Sequence, residues 1–61
     1  MKFDVYVGEV GHEYGHHVCV THSLTLARRA AAHALREYGG DGWSLIFDRM
    51  SGERIIRGRT V

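Results

Sequence analysis

The chain has little with which to cross-link or anchor itself. Its only cysteine is Cys19, which excludes an intramolecular disulfide. A lone reduced thiol suits the cytoplasmic location expected of this chain. No apolar run approaches the ~20 residues that span a bilayer, so no membrane partner is expected. Met1-Lys2-Phe3-Asp4 enters a strand pattern at once and has no apolar h-region, so no signal peptide is expected either. Net charge is only +1, too small for an overall field that draws the chain to nucleic acid or membrane. Acids are scarce in one region: over residues 49–61 the only one is Glu53, against Arg49, Arg54, Arg57 and Arg59. Such a bias suits an acidic partner, and it also protects an exposed strand edge from aggregation.

What is present is the composition of one folded domain, residues 1–61, with 44% hydrophobic and 25% charged residues. A chain this short buries only about 60% of its unfolded surface, so its core is marginal. Small domains usually gain support from disulfides, a metal or a second subunit. With the disulfide excluded, a metal or a partner chain remains.

Period-two alternation in Phe3-Asp4-Val5-Tyr6-Val7 predicts a first strand, and His17-Val18-Cys19-Val20-Thr21 a second. Gly8, Gly11 and Gly15 punctuate the turn between them. A helix over about 23–38 follows. Thr21 or Ser23 can cap it, five alanines favour it, and Leu24, Ala27, Ala31, Ala34, Leu35 and Tyr38 form one apolar stripe. Gly39-Gly40 ends it. Trp43–Asp48 and Glu53–Arg57 read as two more strands around an Arg49–Gly52 turn. The expected fold is α+β: a ββαββ domain with a four-stranded, mainly antiparallel sheet in the order 2-1-3-4 and the helix on one face. Phe3, Val5, Val7, Val18, Val20, Trp43, Leu45 and Phe47 are expected beneath the helix. Tyr6, His17, Cys19, Ile46 and one of Ile55 or Ile56 are expected on the open face, as a mixed surface of the sort that marks interaction sites.

Four of the five histidines lie between His12 and His22. His12-Glu13-Tyr14-Gly15-His16 fits the H-E-x-x-H pattern, and His12 to Val18 resembles the motif helix of bacterial neutral zinc metallopeptidases. The motif assigns His12 and His16 as zinc ligands and Glu13 as general base, and a third ligand would have to come from Glu37, with His33 and Asp41 nearby. The motif works only on a helix, where the two histidines share a face. Here Gly11 and Gly15 each cost about 1 kcal/mol in a helix, and Val18, Val20 and Thr21 prefer strands. No enzyme is therefore expected. A structural metal is less demanding: His17 and Cys19, at i and i+2, would share a strand face and hold zinc, with His12, His16 or His22 completing the set. The base expectation is no cofactor. A histidine cluster also suits a pH-sensitive interface. Cys19, mid-strand and away from any helix N-terminus, reads as an inert thiol.

Asp4-Val5-Tyr6-Val7-Gly8-Glu9, with His12, Gly15, Val18, Val20 and the alanine-rich helix, resembles short accessory proteins of phages and mobile elements. The resemblance runs from Asp4 into the helix. It implies a small non-enzymatic protein that binds a host or phage macromolecule, inhibitors of host defence systems among them. The expected activity is thus binding of a protein partner, with homodimer formation, through Tyr6, His17, Cys19 and Ile46 on the open face and Arg54 and Arg57 on the basic hairpin. A nucleic-acid partner is the alternative, resting on the arginines with Tyr6, Tyr14, Trp43 and Phe47.

Overall fold

The computed structural model describes residues 2–12, 14–37 and 41–58. Its four strands are β1 (Phe3–Gly8), β2 (His16–Thr21), β3 (Trp43–Asp48) and β4 (Arg54–Arg57), with helix α1 (Leu24–Glu37) between β2 and β3. The sheet order is β2-β1-β3-β4 with every neighbouring pair antiparallel, so the expected ββαββ architecture is the observed one. α1 returns the chain across the sheet, which lets β3 pair with the free side of β1.

Local chemistry explains the elements. Ser23 begins α1: its carbonyl accepts from Ala27 N at 2.9 Å and its Oγ from Leu26 N at 3.5 Å. Thr21 Oγ1 donates to Ser23 O at 2.8 Å and fixes the approach to the helix. Ala27, Ala31 and Ala34 are the buried stripe; small side chains let the helix lie close to the strands. Tyr38 and the Gly39-Gly40 stop lie outside the described residues. The β3–β4 turn is built by Asp48, whose Oδ1 accepts from Met50 N at 2.9 Å and Ser51 N at 3.4 Å. Gly52 closes it at φ 76°, a left-handed conformation that costs glycine nothing.

β1 fixes the inward face of the sheet. Phe3, Val5 and Val7 are buried, and Val5 has no exposed surface. Across the four strands Cys19, Val5, Ile46 and Ile55 stand in one row. With Phe3, Ala27 and Ala31 they make the core, Cys19 and Ile55 being only partly buried. This corrects the expected facing in two places. In β3 it is Ile46, 4% exposed, that lies beneath the helix. Trp43, Leu45 and Phe47 pair with Gly8, Tyr6 and Asp4, so they share the opposite face. In β2, Cys19 turns toward the helix and Val20, opposite Asp4, turns away.

The β2 correction has a specific cause. Val5 pairs with Cys19 but Tyr6 pairs with His17, leaving Val18 as an extra residue. Such a bulge inverts the normal i, i+2 relation. His17 joins Tyr6 on the open face, while Cys19 joins Val5 on the covered one.

The indole of Trp43 explains the β3 phase. It is 5% exposed although it stands on the open side, because the β1–β2 connection folds over it. Its Nε1 donates to His12 O at 2.8 Å. A Cβ on Gly8 would collide with the indole, and one on Gly15 would lie 2.6 Å from Trp43 Cη2 and 2.6 Å from Val7 O. Gly8 and Gly15 are thus the space in which the tryptophan sits.

Candidate binding surface

The open face is centred on β1 and β3. Tyr6, Leu45 and Phe47 are half-buried there, and Val20 and Ile56 at the two edges are 40% and 51% exposed. Tyr6, Tyr14, Leu45, Phe47 and Arg54, with Gly15 and Trp43, line a broad shallow depression of ≈ 450 Å3. Arg54 stands directly across from Phe47. The surface combines flat aromatic and apolar area with cationic charge, and among the described residues its strands carry one carboxylate there.

That carboxylate is Asp4, which is 4% exposed. Burying a charge costs heavily unless it is paired, and Asp4 is paired twice. Arg49 grips it with both prongs, Nε donating to Oδ2 and Nη2 to Oδ1 at 2.8 Å. His17 Nε2 donates to Oδ1 at 2.9 Å. The Arg49 hydrogen bonds, then that from His17, hold the carboxyl of Asp4 down at about 2, against an ordinary 3.8; Arg49 is in turn pushed up by Asp4. Arg49 reaches Asp4 because its own N–H donates to Lys2 O at 3.1 Å, tying the turn to the start of β1. Tyr6 and His17 pack edge to face, 5.1 Å between centroids at 72°. The network ties His17 and the β3–β4 turn to β1 beside the aromatic residues.

Of the expected contact residues, Tyr6, His17 and Arg54 come together on this face. Ile46 does not: it is buried under α1. Cys19 does not either, since it faces the core. Arg57, opposite Ser44, belongs to the helix side of β4. The surface gains Leu45, Phe47, Val20 and Asp4 instead. Asp4 carried a legible signal, because an acid in the middle of an apolar central strand demands partners.

The histidine stretch is not helical: His12, Tyr14 and Gly15 lie in the connection and His16 opens β2. Glu13 lies outside the described residues. The expected His17–Cys19 ligand pair is separated by the sheet itself, and His17 is committed to Asp4. His12 is exposed, with Nε2 3.9 Å from Glu9 Oε2. Among the described residues no group of three or more His, Cys, Asp or Glu converges on a point. No helix among them is long and apolar enough to cross a membrane.

Compared with protein families, curated proteins and solved structures, the chain matches none.

Proposed function

We propose that the protein is a small non-enzymatic binding module that engages a protein partner through the open sheet face, extended by the basic β3–β4 hairpin. A second copy of the chain is the first candidate partner. The observation that carries the reading is the apolar set on the open side: Tyr6, Leu45 and Phe47, half-buried on the two central strands, with the exposed Val20 and Ile56 on the two edge strands. A contiguous apolar patch rimmed by polar groups is the usual mark of an interaction surface. A partner of host or phage origin, components of defence systems included, is what the resemblance of the stretch from Asp4 into the alanine-rich helix to short accessory proteins of phages and mobile elements implies.

Leu45→Lys is the discriminating variant, because it places a charge in the middle of the patch without touching the core. Sedimentation equilibrium at micromolar concentration should show dimers for the wild type and monomers for Leu45→Lys. Affinity capture from host lysate with both proteins as paired baits covers a heterologous partner. Capture of the same proteins by both baits, together with a monomeric wild type, sinks the reading.

A second reading is favoured by one placement. Tyr6 and Phe47 lie on the two central strands, on the open side, with Arg54 beside Phe47. Single-stranded nucleic acid binds such platforms by stacking bases on aromatics while cations track the backbone, each stacked base contributing about 1–3 kcal/mol. Anisotropy with labelled single-stranded RNA and DNA at low salt tests it, since electrostatic binding is strongest there. Phe47→Ala should weaken the binding about tenfold or more; an undetectable wild-type signal removes this reading.

A further inference from the structure

The helix does not cover the whole sheet. α1 packs on β1, β2 and β3, and among the described residues no Cα of α1 comes within 8 Å of one in β4, which only Ile55 joins to the core. The inner side of β4 is therefore left beyond the helix, and a groove of ≈ 120 Å3 runs between them. Its helix wall is Arg28, Ala31, Ala32 and Leu35, residues at i, i+3, i+4 and i+7 on one face. Its strand wall is built from two cross-strand pairs, Ile46 with Ile55 and Ser44 with Arg57. The floor is thus aliphatic, and a guanidinium stands on each side. The salt bridges of the described residues involve neither Arg28 nor Arg57. The volume approaches that of an apolar cavity of about 150 Å3 able to take up benzene, which is room for one aliphatic or aromatic side chain.

Beside the groove is the outer edge of β4. β4 is the last strand of the sheet and, among the described residues, pairs only with β3. Its outer N–H and C=O groups over Arg54–Arg57 form a template for another extended chain. A strand laid along that edge directs alternate side chains to the helix side, where the groove lies. Its neighbours on that side meet the two arginines.

We infer that the β4 edge and the α1–β4 groove form a second binding site, distinct from the open face, for an extended acidic–apolar peptide. The peptide adds a fifth strand to the sheet. One apolar side chain enters between Leu35 and Ile55, and carboxylates at the i−2 and i+2 positions of the peptide pair with Arg28 and Arg57. Main-chain bonds supply the strand addition, and the groove and arginines supply the selectivity.

The probe is the acetylated, amidated heptapeptide Ser-Glu-Thr-Leu-Thr-Glu-Ser, which places Glu, Leu and Glu on one side of a strand. A control peptide carries lysine at both glutamate positions. In amide and methyl NMR of the full chain, the acidic peptide should shift Arg54 to Arg57 amides and the Leu35, Ile46 and Ile55 methyls in a saturable way. Arg57→Glu, at an exposed position, should weaken binding about tenfold or more, and the lysine peptide should bind Arg57→Glu better than the wild type. Ala32→Phe fills the groove from the exposed side of the helix and should abolish the methyl shifts. Four outcomes overturn the inference: no saturable shifts at millimolar peptide, shifts confined to the open-face residues Leu45 and Phe47, equal binding of both peptides, or concentration-dependent β4 shifts without peptide. The last would mean that the edge pairs with another copy of the chain.

Discussion

The two faces of one sheet use the same strands in different ways. Beneath α1 the row Cys19, Val5, Ile46 and Ile55 meets alanines, and its centre is dry and aliphatic. On the other side the neighbouring residues His17, Tyr6, Leu45 and Ile56 stay partly in water. The polar groups there are satisfied within the face itself, by Asp4, Arg49 and His17. The covered face holds the fold together through area removed from water, about 25 cal/mol per Å2 of apolar surface. Apart from Asp4, which is buried among its partners, the central side chains of the open face are held in place without being fully dehydrated, which leaves part of their surface for a partner. Trp43 is the exception that links the two: it stands on the open side and is buried like a core residue.

That comparison is broken most severely at Trp43. Trp43→Ala should cost about 3–5 kcal/mol, as large an effect as any core truncation, read from the urea midpoint. An effect below 1 kcal/mol would place the indole in water. Gly15→Ala attacks the same site from the loop. The added methyl meets both the indole and Val7 O, and the loss should be about 1–3 kcal/mol, with red-shifted tryptophan emission as the loop lifts. A matched valine pair compares the two faces directly. Val5→Ala should cost about 2 kcal/mol, and Val20→Ala, on the other face, about 0.5 kcal/mol or less.

The pH dependence probes the polar part of the open face. Asp4 is held at about 2 when folded, against 3.8 ordinarily. Its pairing therefore contributes fully above pH 4 and is lost as pH falls through 2. Urea midpoints should decline over that interval. In Arg49→Met the Asp4 carboxyl should titrate nearer its ordinary value by NMR, and the acid decline of the urea midpoint should shrink with it. An unchanged Asp4 titration would dissociate Arg49 from the network.

The element order and the described part of the helix stripe were legible, because local alternation and helical spacing directly report them; the sheet order was a preference drawn from the connection, the helix returning the chain so that β3 lies antiparallel beside β1. Facing was legible in β1 but not in β2 or β3, and each failure has a physical source. In Trp43–Asp48 the bulkier alternate set looks like the core set, yet the register that pairs Gly8 with Trp43 reverses it. The tryptophan needs the missing side chains of Gly8 and Gly15, and no pattern within β3 records that. In β2 the extra residue Val18 breaks the i, i+2 rule, so His17 and Cys19 part company. A bulge is a property of the pairing with β1 and leaves no mark in the period of β2 alone. The candidate site inherited both errors: Ile46 and Cys19 left it, while Leu45, Phe47 and Val20 entered.

Adjacent residues of β3 give the most direct test of the division between faces. Leu45→Ser and Ile46→Ser make nearly the same chemical change one position apart, on opposite sides of the sheet. Urea denaturation should find Leu45→Ser folded and cooperative with a modestly lower midpoint, and Ile46→Ser largely unfolded without denaturant. The reverse ranking would put Leu45 in the core and contradict the open-face surface on which the proposed function rests.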